Sequence, residues 1–132
     1  MVEEKYDFIV VQKAIIQNED KFLILKRSKS AKGYPGHWDF AGGKLEHSEN
    51  HKVALAREVK EETSIDILVE ESNFVYVENE KAFAYIILFN CEKNSGEIKI
   101  SNEHTEFKWV TKDEALKLKL EPYLKAFFET LE

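Results

Sequence analysis

The chain has 132 residues, 43% hydrophobic and 33% charged, with 19 Lys plus Arg against 25 Asp plus Glu and a formal net charge of −6. That length suits one domain, residues 1–132, and the apolar fraction excludes wholesale disorder. One cysteine, Cys91, excludes an intrachain disulfide or a Cys-rich zinc site, and basic residues interspersed with acids argue against a nucleic-acid polymer as partner. No signal-peptide layout opens the chain, and the longest apolar run, 82–89, is far short of the roughly 20 residues of a membrane helix, so a cytoplasmic protein with no membrane partner is expected.

In chain order, residues 6–17 are β-branched and apolar, Asn18-Glu19-Asp20 interrupt them, and 21–26 resume, which reads as a hairpin of two buried strands. The polar stretch 28–36 reads as a loop and 38–40 as a short strand. From Ser48 the period becomes helical: Val53, Leu55, Ala56 and Val59 recur up to Thr63, with Ser48 as N-cap and Glu49 in the first turn. Residues 65–69 and 74–77 read as strands, 78–80 as a turn, and 82–91 as a buried strand that Gly96 breaks. Ile98, Ile100, Phe107, Trp109 and Val110 supply further strand positions. Thr111 caps a short helix, and an amphipathic helix after Pro122 turns Leu124, Phe127, Phe128 and Leu131 inward. The order implies an α/β fold, a mixed sheet with helices on both faces.

The chemistry concentrates between Gly42 and Ile65. On the predicted helix Glu58, Glu61 and Glu62 stand at i, i+3 and i+4 and share one side. Like charges so placed repel, and a divalent cation removes the conflict; Mg²⁺ takes one or two carboxylates plus substrate phosphates. Gly42-Gly43, just before the helix, lets backbone approach a ligand closely and expose its carbonyls. A Glu/Lys-rich helix is by itself usually a solvated face; the diglycine is what shifts the balance toward a metal–phosphate site.

This stretch resembles the box of the Nudix hydrolase family: Gly, five residues, Glu, seven residues, then Arg-Glu-U-x-Glu-Glu-x-Gly-U, with U aliphatic. Gly43, Glu49, Arg57-Glu58, Val59, Glu61-Glu62 and Ile65 fill it, and Ser64 stands where the family has glycine. The flanks resemble the MutT-like branch: residues 38–46 (WDFAGGKLE) follow its W-x-F-P-G-G-K-x-E entry, with Ala41 for proline, and 103–110 (EHTEFKWV) follow its E-H-x-E-x-x-W-V segment.

The resemblance implies an α/β/α sandwich and hydrolysis of a nucleoside diphosphate linked to another moiety, with Mg²⁺ or Mn²⁺. It implies metal ligation by Glu58, Glu62, Glu61 and the Gly42 carbonyl, with Arg57 orienting carboxylates through Glu49 and Glu61. Gly43, Glu49, Val59 and Ile65 are then structural positions of the box. The general base stays open among Glu61, Glu62 and Glu103. Loop cations Lys26, Arg27 or Lys44 are candidates to steady the leaving group. Tyr34 and Trp38, beside the diglycine Gly42-Gly43, lead Phe74, Tyr76 and Phe83 as candidates to stack on a base. His104 is either a phosphate donor or a turn residue; His37, His47 and His51 read as solvated and Cys91 as a packing thiol. The expected partner is a small nucleotide, and the chain a monomer or homodimer. A MutT-like nucleoside triphosphate pyrophosphohydrolase leads, followed by a nucleotide-sugar or ADP-ribose pyrophosphatase and then a non-catalytic nucleotide sensor.

Overall fold

Side-chain alternation along two neighbouring strands builds two cores, one on each face of the sheet. The computed structural model describes residues 7–79 and 83–132. Strand β1 is Ile9–Asn18 and β2 is Lys21–Arg27. Ile15, Phe22 and Ile24 point into one core with Phe40, Tyr123, Leu124, Phe127 and Phe128. Ala14, Ile16, Leu23 and Leu25 point into the other with Leu55, Val59 and Ile65. This period-2 division is what a strand buried on both faces requires.

The remaining elements are β3 (Trp38–Asp39), β4 (Gly42–Lys44), α1 (His51–Thr63), β5 (Asp66–Glu78), β6 (Ala84–Ser95), β7 (His104–Val110), α2 (Lys112–Ala115) and α3 (Pro122–Thr130). The strand order is β3-β2-β1-β6-β5, with β4 paired to β1 and β7 to β2. Strands β1 and β6 run parallel while β1–β2, β1–β4, β2–β3, β2–β7 and β5–β6 are antiparallel, so the sheet is mixed. Helix α3 covers the first core and α1 the second, which gives the α/β/α sandwich. Among the described residues no helix is long and apolar enough to cross a membrane.

The site depends on where β1 and β2 separate. They pair at Gln17↔Phe22 and Asn18↔Lys21. Further along, β1 takes β4 as its neighbour at Val11, Gln12 and Lys13, while β2 pairs with β3 and β7. The diglycine strand thus lies beside β1 in the space that β2 has left.

Several sequence expectations need correction. The N-cap of α1 is Asn50, not Ser48: the Asn50 side chain accepts from the Lys52 and Val53 amides, and Ser48 sits in the preceding turn at φ 67. Glu49 therefore precedes the helix and is not in its first turn. The expected strands 65–69 and 74–77 fall in one strand, β5, which starts after Ile65 and takes in Glu78, expected in a turn; its polar 71–73 stretch falls among register shifts against β6. Ile98 and Ile100 lie outside any strand, half-buried against the second core. As expected, Thr111 caps α2, with a reciprocal capping box. Ser64 ends α1 in the left-handed conformation, φ 68, which accounts for glycine at that place in the box it resembles. Tyr6, Glu80 and Ala82, included in expected elements, lie outside the described residues.

Candidate functional site

Leu55 and Val59, both fully buried, press α1 onto the second core and fix its rotation. Glu62 is carried inward by that rotation and is 5% exposed; Glu58 is half-buried and Glu61 open to solvent. Strand β4 runs under the two inner carboxylates. The Gly42 amide donates to Glu62 Oε1 at 3.4 Å. A Cβ on Gly43 would lie 2.8 Å from Glu58 Oε2. Gly42 has a separate reason to be glycine: its φ is +151, and a Cβ there would fall 2.0 Å from the Gln12 carbonyl oxygen.

Arg57 organises the outer edge. Its Nη2 donates to Glu49 Oε2 at 2.8 Å and its Nη1 to Glu61 Oε1 at 3.2 Å, while Glu58 Oε1 lies 3.6 Å from Nη2. The second oxygen of Glu49 accepts from the Glu46 amide at 2.8 Å, so the guanidinium also anchors the turn leading into α1. Burial raises Glu58 above the usual carboxylate range, Arg57 opposes this, and Glu61 and Glu103 add to it. Burial pushes Glu62 up to about 8, against Lys13 and with Asp39 adding. Two carboxylates that resist ionisation side by side are what a cation would relieve.

A third wall comes from the start of β7. Ligand atoms of Glu62, Glu103 and His104 lie within 4.8 Å of one another. His104 is 6% exposed, and neither ring nitrogen has a hydrogen-bond partner among the described residues. Burial lowers its pKa, which favours the neutral ring. The main chain holds this wall in place: the Ser101 amide donates to the Glu62 carbonyl at 3.0 Å and the Ser28 amide to the Glu103 carbonyl at 3.0 Å. An orphaned neutral imidazole facing two carboxylates is a donor set that fits a divalent cation. A cavity of about 340 Å³, lined by Arg27, Ser28, Ser30, Asn102, Glu103 and His104, opens beside it. A larger cavity of about 720 Å³ lies at the other end of the sheet, between Gln17, Cys91, Ile98 and Trp109.

Behind the carboxylates is a buried network that the sequence did not signal. Lys13 Nζ donates to Asp39 Oδ2 at 3.0 Å, and Arg27 Nη1 reaches the same oxygen at 3.4 Å. The Tyr123 hydroxyl donates to Asp39 Oδ1 and accepts from the Phe40 amide. Burial alone would raise Asp39, but Lys13 and these hydrogen bonds hold it below the usual range. Glu121, mainly through burial, is pushed up to about 9. The only trace in the sequence is a lysine inside an apolar strand and an aspartate between Trp38 and Phe40.

The expected substrate contacts divide. Trp38, expected to stack on a base, is 5% exposed within the first core, and Lys108 lies 5.4 Å over its ring; neither face is open. The Tyr34 hydroxyl donates to Glu78 Oε2 at 2.8 Å and ties the β2–β3 loop to the end of β5. Arg27 braces the same loop, with Nε donating to the Gly33 carbonyl at 2.7 Å. Lys44 is exposed at the end of β4, next to the diglycine. Phe74 and Tyr76 pack against the first core, and Phe83 is exposed beside Phe8 and Tyr85. The His51 ring leans on Phe89, and Cys91 is buried with its thiol toward the Phe89 carbonyl.

Comparison with known proteins supplies a frame for this geometry. The NUDIX domain model matches residues 8–131. A MutT-like protein of Streptomyces ambofaciens is 28% identical over 124 residues, 94% of this chain and 77% of that protein. Nucleoside triphosphatase NudI of Escherichia coli is 30% identical over 108 residues, 73% of this chain and 77% of that protein. Among solved structures, the MutT protein from Methanosarcina mazei Go1 superposes with a TM-score of 0.81 at 32% identity, covering 97% of this chain and 95% of that one.

Proposed function

The chain belongs to the NUDIX family, in its MutT-like branch, and from that premise we propose that it cleaves nucleoside triphosphates to a monophosphate and pyrophosphate. It is a hydrolase of phosphoanhydride bonds; the triphosphate substrate and the identity of the cation, Mg²⁺ or Mn²⁺, are our reading. The observation that carries it is the packing of α1 on β4: half-buried Glu58 against Gly43, buried Glu62 against the Gly42 amide, and Arg57 bound to exposed Glu61. Resemblance of the chain to a nucleoside triphosphatase supports the choice of substrate.

Glu58, Glu62 and the Gly42 carbonyl would hold the cation, with Glu61 and Glu103 as further oxygen donors. Bound there, it would offset phosphate charge and lower the pKa of the attacking water. Arg57, held by Glu49, keeps Glu61 turned toward the rim. One of Glu61, Glu62 and Glu103 takes the proton of the attacking water; the water oxygen bonds to phosphorus, the bridging P–O bond breaks, and pyrophosphate leaves. Lys44, exposed at the end of β4 after the diglycine, would meet the departing charge. Arg27 and Lys26 are already engaged, by Asp39 and by Glu106.

The test is a panel of canonical and oxidised nucleoside triphosphates, nucleotide sugars, ADP-ribose and dinucleoside polyphosphates with Mg²⁺, read by product identification. Monophosphate plus pyrophosphate is expected. Glu58→Gln should lower kcat/KM by about 100-fold or more, since losing a direct ligand exceeds the 10–100-fold cost of losing a supporting one. Preference for a nucleotide sugar or ADP-ribose would replace the substrate assignment, and binding without turnover of any of them would make the protein a sensor.

A further inference from the structure

We propose that Glu62, Glu103 and His104 form a mixed nitrogen–oxygen cation position, in which the imidazole selects a first-row transition ion over Mg²⁺. The proposal rests on the reading of the α1–β4 carboxylates as a cation site and adds a ligand of a different chemical kind.

Three observations meet here. Ligand atoms of the three residues lie within 4.8 Å of one another. Around one ion at about 2.1 Å from each ligand, neighbouring donors sit roughly 3–4 Å apart. Small movement of Glu103, exposed on the loop before β7, therefore closes the cage. Second, His104 is more than nine-tenths buried, yet among the described residues both ring nitrogens lack a partner. Buried polar atoms in folded proteins are satisfied nearly always, and the exceptions call for a reason. A cation on one ring nitrogen is such a reason. Third, the backbone around the ring is fully tied: the His104 amide donates to the Ser101 carbonyl at 3.2 Å, and β7 pairs His104 with Arg27. The ring is thus held against Glu62 by main-chain geometry and does not depend on side-chain hydrogen bonds of its own.

The ligand type decides the selectivity. Mg²⁺ prefers an all-oxygen shell and gains little from imidazole, whereas transition ions accept nitrogen readily. The oxygen set of Glu58, Glu62 and the Gly42 carbonyl serves either ion. Adding His104 raises affinity for the transition ion alone.

Mn²⁺ is the probe, because its electron spin reports a directly bonded nitrogen. Pulsed EPR of the wild-type protein with Mn²⁺, without nucleotide, should show ¹⁴N coupling, and His104→Gln should abolish it. In titrations, wild type should bind Mn²⁺ at least about tenfold more tightly than Mg²⁺, and His104→Gln should lose most of that ratio while its Mg²⁺ affinity changes less than about threefold. Mn²⁺ bound without nitrogen coupling, or a ratio unchanged by His104→Gln, overturns the proposal. The wild-type spectrum decides the matter even if the variant folds poorly. Absent coupling combined with intact Mg²⁺-supported triphosphate hydrolysis overturns this inference and leaves the function standing. Coupling without any cation-dependent hydrolysis supports the site and overturns the function.

Discussion

Neighbouring glycines 42 and 43 are glycine for different physical reasons, and the difference can be tested. At Gly42 both the backbone, φ +151, and the Gln12 carbonyl 2.0 Å from a notional Cβ forbid a side chain. Gly42→Ala should break the β1–β4 pairing, with a clear loss of melting temperature. At Gly43 the nearest atom to a notional Cβ is Glu58 Oε2 at 2.8 Å, the far end of a side chain that can turn aside. Gly43→Ala should therefore fold with a melting temperature within about 2 °C of wild type, yet lose at least about tenfold in kcat/KM because the carboxylate is displaced. Melting curves recorded beside kinetics separate the two cases. A Gly43→Ala enzyme with full activity would show that Glu58 does not work from the position it occupies here.

Helix α1 shows which parts of an element a sequence carries. Its existence and its acidic side were readable because a 3.6-residue period fixes both, and Glu58, Glu61 and Glu62 need no tertiary contact to share a side. Its start was not readable. Ser48 and Asn50 are both good caps, and the choice falls to the 46–49 turn, where the Glu49 amide meets the Glu46 carbonyl and the Glu49 side chain meets the Glu46 amide. Asn50→Ala should cost about 1 kcal/mol of stability and Ser48→Ala less than about 0.5 kcal/mol, measured by denaturant unfolding. The apolar alternation at Ile98 and Ile100 misled for a related reason. The Lys99 and Ser101 amides donate to the carbonyls of Thr63 and Glu62, so this segment runs extended along the end of a helix and gains its apolar contacts without a strand partner. In β5 the polar 71–73 stretch separates two apolar runs that read as two strands, and only the pairing with β6, irregular at this point, joins them into one.

At the scale of the molecule, the divergence of β1 from β2 gathers ionisable groups from five separate segments: Lys13, Asp39, Glu62, His104 and Glu121. No periodicity or spacing links all five, so the sequence disclosed Glu62 and His104 and not Lys13, Asp39 and Glu121 behind them. Their burial has a thermodynamic consequence. Glu62, pushed up to about 8, and Glu121, pushed up to about 9, keep protons in the folded chain that the unfolded chain, with carboxylates near 4.5, has released. Where the native state binds more protons, stability falls as pH rises, by up to about 1.4 kcal/mol per pH unit for each group still below its folded value. His104 acts oppositely: burial lowers it, so its contribution is lost as pH falls below the usual histidine range. Above pH 7 that term is spent and the two glutamates dominate. The cation-free protein, in a chelator, should thus lose several degrees of melting temperature between pH 7 and 8.5. Glu62→Gln should flatten that slope by removing one of the two groups. Saturating Mn²⁺ should flatten it as well, since a cation that binds ionised Glu62 stabilises the folded state increasingly as pH rises. A melting temperature that stayed level or rose across this interval without cation would mean that Glu62 is already ionised, and its burial against Gly42 would then lose its significance for cation binding.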